Sequence, residues 1–214
     1  MSVDIVRWTL DVATDRLDAL HAHLSDDERE RAAKFTREDP RRRFIAARGT
    51  LRERLAERLS AEPAELVFAY GPMGKPSVCD APELHFNLAH SADLAICALA
   101  DEPVGIDLER IRPMKNAQGL ARRWFHPEEI ARIENAADPL HEFFRTWTMK
   151  EAVLKLIGVG VGEALPKVLT PGGPNGGEAT GLPVNEAAIR ACSVYRLAVE
   201  DNFAASYAFA TTYP

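Results

Sequence analysis

Residues 84–111 read LHFNLAHSADLAICALADEPVGIDLERI, and the way this stretch divides decides the fold. It breaks into short runs of strand length. One passes through HFNLAHS (85–91) and the next through LAICALA (94–100). A third, VGIDLER (104–110), is entered from the turn DEP. Outward toward the N-terminus, AELVFAYGPMGKPSV (64–78) predicts a short strand and then a Gly/Pro turn. Before it, DPRRRFIAARGTLRERLAERLS (39–60) carries Phe44, Ala47, Leu51 and Leu55 on one stripe, a long helix starting near Pro40. SDDERERAAKF (25–35) is a shorter helix with Ser25 as cap and Glu28 completing a capping box. DIVRWTLDV (4–12) alternates Val6, Trp8 and Leu10 with polar neighbours, as a half-buried strand does.

Toward the C-terminus, RRWFHPEEIARIENA (122–136) predicts one helix, with Pro127 suited to a first turn. LHEFFRTWTMKEAVLKLIG (140–158) predicts another, stopped by Gly158. LTPGGPNGGEATGLP (169–183) is a Gly/Pro-rich loop, and CSVYRLAVEDNFAASYAFATT (192–212) closes the chain as a hairpin. Phe44, Arg48 and Arg52 step by four on the first long helix, and Trp147, Glu151 and Lys155 repeat the step 103 residues later. LAICALA is likewise echoed by AASYAFA. The expectation is an α+β fold with two similar halves, 1–103 and 104–214, related by a pseudo-twofold. Each half would be a long helix packed on a small antiparallel sheet.

The composition, 46% hydrophobic and 27% charged over 214 residues, is that of a globular chain able to bury a core. A net charge of −6 argues against a general nucleic-acid binder. The arginines crowded between Glu28 and Arg58, with Arg41, Arg42 and Arg43 in a row, are either a solvated helix face or a patch for an anionic partner. Cys79, Cys97 and Cys192 are scattered, without the spacing of a zinc site. The N-terminus does not read as a signal peptide, and no run approaches a membrane span, so the cytoplasm is expected.

Four segments carry candidate chemistry. In VGIDLER, strand alternation puts Ile106 and Leu108 on one face and Asp107 with Glu109 on the other. Two adjacent carboxylates are either the wet face of an edge strand or a site for a hard cation such as Mg²⁺. In WTMKEAVLK, Trp147, Glu151 and Lys155 share a helix face with Lys150 beside it, which an ordinary Glu–Lys pair also explains. FNLAHS lacks a nucleophile-elbow pattern, so His90 and Ser91 read as donors to a phosphate or ribose hydroxyl, or as structural groups. His85 has no clear role. In GPMGKPS, Lys75 sits on a tight turn where it could meet a phosphate or base, or simply water.

The order GKP, FNLAHS, VGIDLE, WTMKEAVLK resembles the 4′-phosphopantetheinyl transferase superfamily, in the double-length type that activates surfactin and enterobactin synthetases. The resemblance runs from Ser25 to Gly160, about two-thirds of the chain. It implies an enzyme that moves the phosphopantetheine arm of coenzyme A to a serine of an acyl or peptidyl carrier protein, releasing adenosine 3′,5′-bisphosphate. Asp107, Glu109 and Glu151 would hold Mg²⁺, and Glu151 or a metal-held water would take the serine proton. Lys155 would neutralise the leaving phosphate, and Lys150 would help hold the diphosphate. Lys75, His90 and Ser91 match coenzyme A-binding positions, with Arg43 and Arg48 as further 3′-phosphate partners. Arg31 sits where relatives carry a basic contact, while Glu28 is acidic where some are basic. A duplicated chain would build its site between its own halves and act as a monomer. Ile157, Val159 and Val161 are candidates to receive the carrier, or core. The rival readings are a Mg²⁺-dependent phosphohydrolase or nuclease and a non-catalytic carrier-binding relative.

Overall fold

In the computed structural model, residues 2–160, 162, 164–173, 175–183 and 189–212 are described. The chain opens with β1 (Val3–Thr9), α1 (Thr14–Ala22), α2 (Asp26–Ala33) and the long α3 (Glu38–Leu59). A small hairpin follows, β2 (Phe68–Tyr70) and β3 (Pro76–Val78), then β4 (His85–Ser91), β5 (Leu94–Ala100) and β6 (Val104–Arg110). Next come α4 (Ala117–Trp124), α5 (Pro127–Glu134) and the long α6 (Pro139–Ile157). β7 (Gly176–Ala179), β8 (Ala191–Leu197) and β9 (Phe203–Thr212) complete the order.

The strands form two antiparallel sheets besides the hairpin, ordered β1-β5-β4 and β6-β9-β8-β7. In each, the first strand pairs with the last, and the last with the one before it. Each sheet is covered by one long helix. Leu51 and Leu55 of α3 pack on Phe86, Cys97 and Leu99, and Met149 and Val153 of α6 pack on Val194 and Ala208. The duplicated α+β arrangement is therefore present, and the helix-stripe spacing of residues 44–55 reflects this burial.

The sheets meet along β4 and β6. Asn87 Oδ1 accepts the Ile106 amide at 2.8 Å, and Ser91 Oγ accepts the Arg110 amide at 3.0 Å. Both contacts link residues 19 apart, so the strands run parallel and side by side, joined by side chains. Ile106 and Leu108 bury with Ala89, Ile96 and Ala98 in the core between the sheets.

Three elements depart from the sequence expectation. Residues 122–136 are not one helix. His126 is extended (φ −66°, ψ 147°) ahead of Pro127, as a residue before proline prefers, so α4 ends and α5 begins there. The Gly-rich loop contains an edge strand, β7, paired with β8. A Cβ on Gly176 would lie 2.1 Å from the Val194 carbonyl, so the glycine that reads as a loop is what lets the strands approach. α1 was not anticipated; it buries Leu17 and Leu20 against α3, where Gly49 makes room for Leu20.

Candidate active site

β6 delivers two carboxylates to the face that α6 covers. The fit is close because residue 105 is glycine: a Cβ there would lie 2.1 Å from the Ala152 carbonyl. Across this contact Lys155 Nζ donates to Asp107 Oδ1 at 2.6 Å. Asp107 is buried, and its Oδ2 has no hydrogen-bond partner. Glu109 is half-buried, and its Oε2 accepts from Ser91 Oγ at 3.0 Å.

Glu151 stands one turn before Lys155 on the same face of α6. Its carboxyl is pushed up to about 7 by burial and then by the charge of Asp107, with a further push from Glu109 and a pull from Lys155. Burial, ahead of the stabilising Lys155 ammonium, raises Asp107, and burial with the Asp107 charge raises Glu109. The three acids thus form one electrostatic cluster, served by one close ammonium. His90 lies at its edge, its imidazole lowered by lost hydration and by Lys155.

The structure therefore brings Asp107, Glu109, Glu151, Lys155, His90 and Ser91 together. It sends the others elsewhere. Lys150 is wholly buried on the far side of α6 from Asp107. Its Nζ bonds Glu129 Oε2 at 2.6 Å and the Val168 carbonyl, 5.5 Å from the centre of the Phe125 ring. One residue is a 100° rotation on a helix, enough to turn Lys150 from β6 toward α5. Lys75 Nζ faces the protein, donating to the carbonyls of Val104, Lys155 and Leu156. Arg43 pairs with Asp11 at 3.1 Å. Arg48 pairs with Glu28 and reaches the Tyr70 hydroxyl, its guanidinium 4.8 Å from the Phe68 ring. Glu28 also binds Arg52 at 2.6 Å, so the acid that breaks the expected basic pattern neutralises two arginines of α3. Arg31 is exposed, its guanidinium 5.4 Å from the Phe44 ring centre.

Ile157 is core, Val159 packs against that core, and Val161 lies outside the described residues. Asn87 escaped the sequence reading. The signal was a lone amide at an inward position between Phe86 and Leu88.

Residues 103–208 match the family model of the 4′-phosphopantetheinyl transferase superfamily, and residues 8–102 match that of the 4′-phosphopantetheinyl transferase N-terminal region. The chain belongs to the 4′-phosphopantetheinyl transferase superfamily. It is 41% identical over 180 residues to the 4′-phosphopantetheinyl transferase HetI of Nostoc sp., covering 80% of this chain and 76% of that one. It is 32% identical over 177 residues to the 4′-phosphopantetheinyl transferase psf-1 of Bacillus pumilus, covering 82% and 75%. It is 27% identical over 140 residues to the 4′-phosphopantetheinyl transferase Sfp of Bacillus subtilis, covering 64% and 62%. Among its described residues, no helix of this transferase is long and apolar enough to cross a membrane.

Mg²⁺ has a partial fit to the acid cluster. The unpartnered, buried Asp107 Oδ2 and the mutual destabilisation of three carboxylates favour a cation. Against this, no group of three acid, imidazole or thiol side chains among the described residues stands close enough to enclose one as placed. The Lys155 ammonium already occupies Asp107 Oδ1.

Proposed function

We propose that this enzyme transfers the 4′-phosphopantetheine group of coenzyme A to a serine of an acyl or peptidyl carrier protein, with Mg²⁺ held by Asp107, Glu109 and Glu151. Bound there, the ion supplies positive charge and a template for the diphosphate. The observation that carries the reading is the meeting of β6 and α6 at Asp107 and Lys155, with Glu151 in the same field.

The serine Oγ forms a bond to the phosphorus that bears the pantetheine arm. The bond from that phosphorus to the bridging oxygen breaks, and adenosine 3′,5′-bisphosphate leaves with the electron pair. Glu151 takes the serine proton, a role open to a carboxylate that a bound cation keeps in its charged form. Lys155 moves from Asp107 to the phosphate that leaves, which frees an Asp107 oxygen where the chain now supplies only an ammonium. His90 and Ser91, at the β4 edge of the cluster, orient the diphosphate and the 3′-phosphate; the charge of Lys155 on His90 and the Ser91–Glu109 hydrogen bond support this. Phosphoryl transfer asks mostly for such placement and charge neutralisation.

The N-terminal half, residues 1–103, supplies His90 and Ser91, and the C-terminal half, 104–214, supplies the acids and Lys155. One chain thus completes one site, and the protein acts as a monomer. Incubation with coenzyme A, Mg²⁺ and an apo-carrier tests the reading. A carrier gaining one phosphopantetheine arm, with matching release of adenosine 3′,5′-bisphosphate, supports it. Hydrolysis of coenzyme A with the carrier unmodified would point to a phosphohydrolase instead.

A further inference from the structure

The Lys75 ammonium is a cation spent entirely on backbone. Its turn is tight: the Gly71 amide donates to the Lys75 carbonyl at 2.9 Å, and the Gly74 amide to the Gly71 carbonyl at 2.8 Å, with Gly74 at φ 77°. That turn fixes where the side chain leaves the β2–β3 hairpin. The chain then crosses from the first sheet's side of the molecule to the second. Nζ reaches the carbonyl of Val104, where β6 begins, at 3.0 Å. It also reaches two carbonyls in the last turn of α6, Lys155 at 2.8 Å and Leu156 at 3.2 Å.

Those last-turn carbonyls have no partner further along the helix, and they carry its partial negative charge. An ammonium there satisfies them and ties them to the neighbouring strand. The residue whose carbonyl Lys75 binds is the residue whose own Nζ holds Asp107. Burial lowers the Lys75 ammonium to about 8, so holding it charged in this position costs free energy that the three carbonyls offset.

We propose that Lys75 is a positioning residue: by binding Val104, Lys155 and Leu156 it locks the start of β6 to the end of α6, and so sets how Lys155 and Glu151 face Asp107. The inference rests on the transfer reaction proposed above, and it replaces the expected role of Lys75 as a direct contact to coenzyme A. The same turn borders a cleft of about 1070 Å³, lined in part by Met73, Pro82, Phe86, Leu156 and Val159. Movement of the hairpin would therefore be felt at the end of the helix bearing the site.

Lys75→Met and Lys75→Gln test this beside the unaltered protein, by steady-state kinetics and by amide hydrogen exchange. A positioning role predicts that kcat falls on the order of tenfold to a hundredfold while KM for coenzyme A stays within about twofold. It also predicts faster exchange at the end of α6 and along β6, with α3 unchanged. A raised KM with unchanged kcat would make Lys75 a ligand contact and overturn the proposal, as would unchanged kinetics with only a lower melting temperature. Absence of transfer by the unaltered protein counts against the proposed function. The exchange comparison then decides on Lys75 alone, and unchanged exchange at β6 and α6 overturns its role.

Discussion

Asn87 on β4 accepts the amide of Ile106 on β6 at 2.8 Å, in the buried seam where the two sheets run side by side. Ile106 N–H points away from the β9 ladder, so this side chain is its partner. The contact fixes the height of β6, and with it the height of Asp107, against the sheet that carries His90 and Ser91. Asn87→Leu is expected to lower stability by about 1–3 kcal/mol, the cost of a buried amide left unmade. Urea unfolding monitored by tryptophan fluorescence checks it.

Lys150 separates a structural from a catalytic role. Removing the ammonium leaves the buried Glu129 carboxylate its hydrogen bonds from the His126 and Thr170 amides and the Thr170 hydroxyl but takes away its closest counter-charge, so Lys150→Met should cost about 3–5 kcal/mol, readable by denaturant titration. Replacing Glu129 with Leu in the same chain should not recover that loss, because it also removes the acceptor of the His126 and Thr170 amides and the Thr170 hydroxyl. The KM for coenzyme A should not change in whichever of the two variants is folded at the assay temperature.

Glu151 gives the metal-free protein a specific pH dependence. Its folded pKa, about 7, lies above the ordinary carboxylate value of 4.5, so the folded state holds the proton more tightly than the unfolded one. That contribution to stability is fully present below pH 4.5 and is lost as pH rises through 7. Thermal melts in chelator should show a decline over this window. The decline should flatten in Glu151→Gln, and saturating Mg²⁺ should oppose it by favouring the charged carboxylate.

Lys155 is asked to do two things, to neutralise Asp107 at rest and the leaving phosphate in reaction. Lys155→Met should lower kcat by roughly 10²–10³, the scale for losing one charge-stabilising group. The same change should tighten Mg²⁺, because the competing ammonium on Asp107 is gone. Calorimetric Mg²⁺ titration of the two proteins checks the second effect independently of turnover.

Periodicity made the frame legible. Short runs bounded by turns between residues 85 and 110 located three strands, with alternation in the third, and the apolar stripe from Phe44 to Leu55 located the first long helix. Ser25 with Glu28 and Gly158 marked helix ends, at an extended cap and a φ of 73° respectively. The same alternation correctly turned Asp107 and Glu109 toward one face. Local chemistry misled where a residue's reason lay in another strand. Gly176 looked like loop punctuation because the strand it must approach, at Val194, lies 18 residues on.

The site was legible as a face and not as a set of partners. Helical spacing puts Lys150 near Glu151 without saying that α5 waits on its side with Glu129. Turn chemistry holds Lys75 rigid without saying that its ammonium points inward to three carbonyls. The arginines of α3 read as a solvated face or an anion patch, but Glu28, read as part of a helix cap, also takes Arg48 and Arg52. Such pairings depend on how distant elements stack, which no local pattern carries.

Calorimetric titration of Mg²⁺ in the presence of coenzyme A tests most directly whether residues 107, 109 and 151 act as one cation site. A single site is expected in the unaltered protein, abolished or severely weakened in each of Asp107→Asn, Glu109→Gln and Glu151→Gln. Unchanged Mg²⁺ binding in Glu151→Gln would contradict it, because the helix carboxylate would then have no share in the ion.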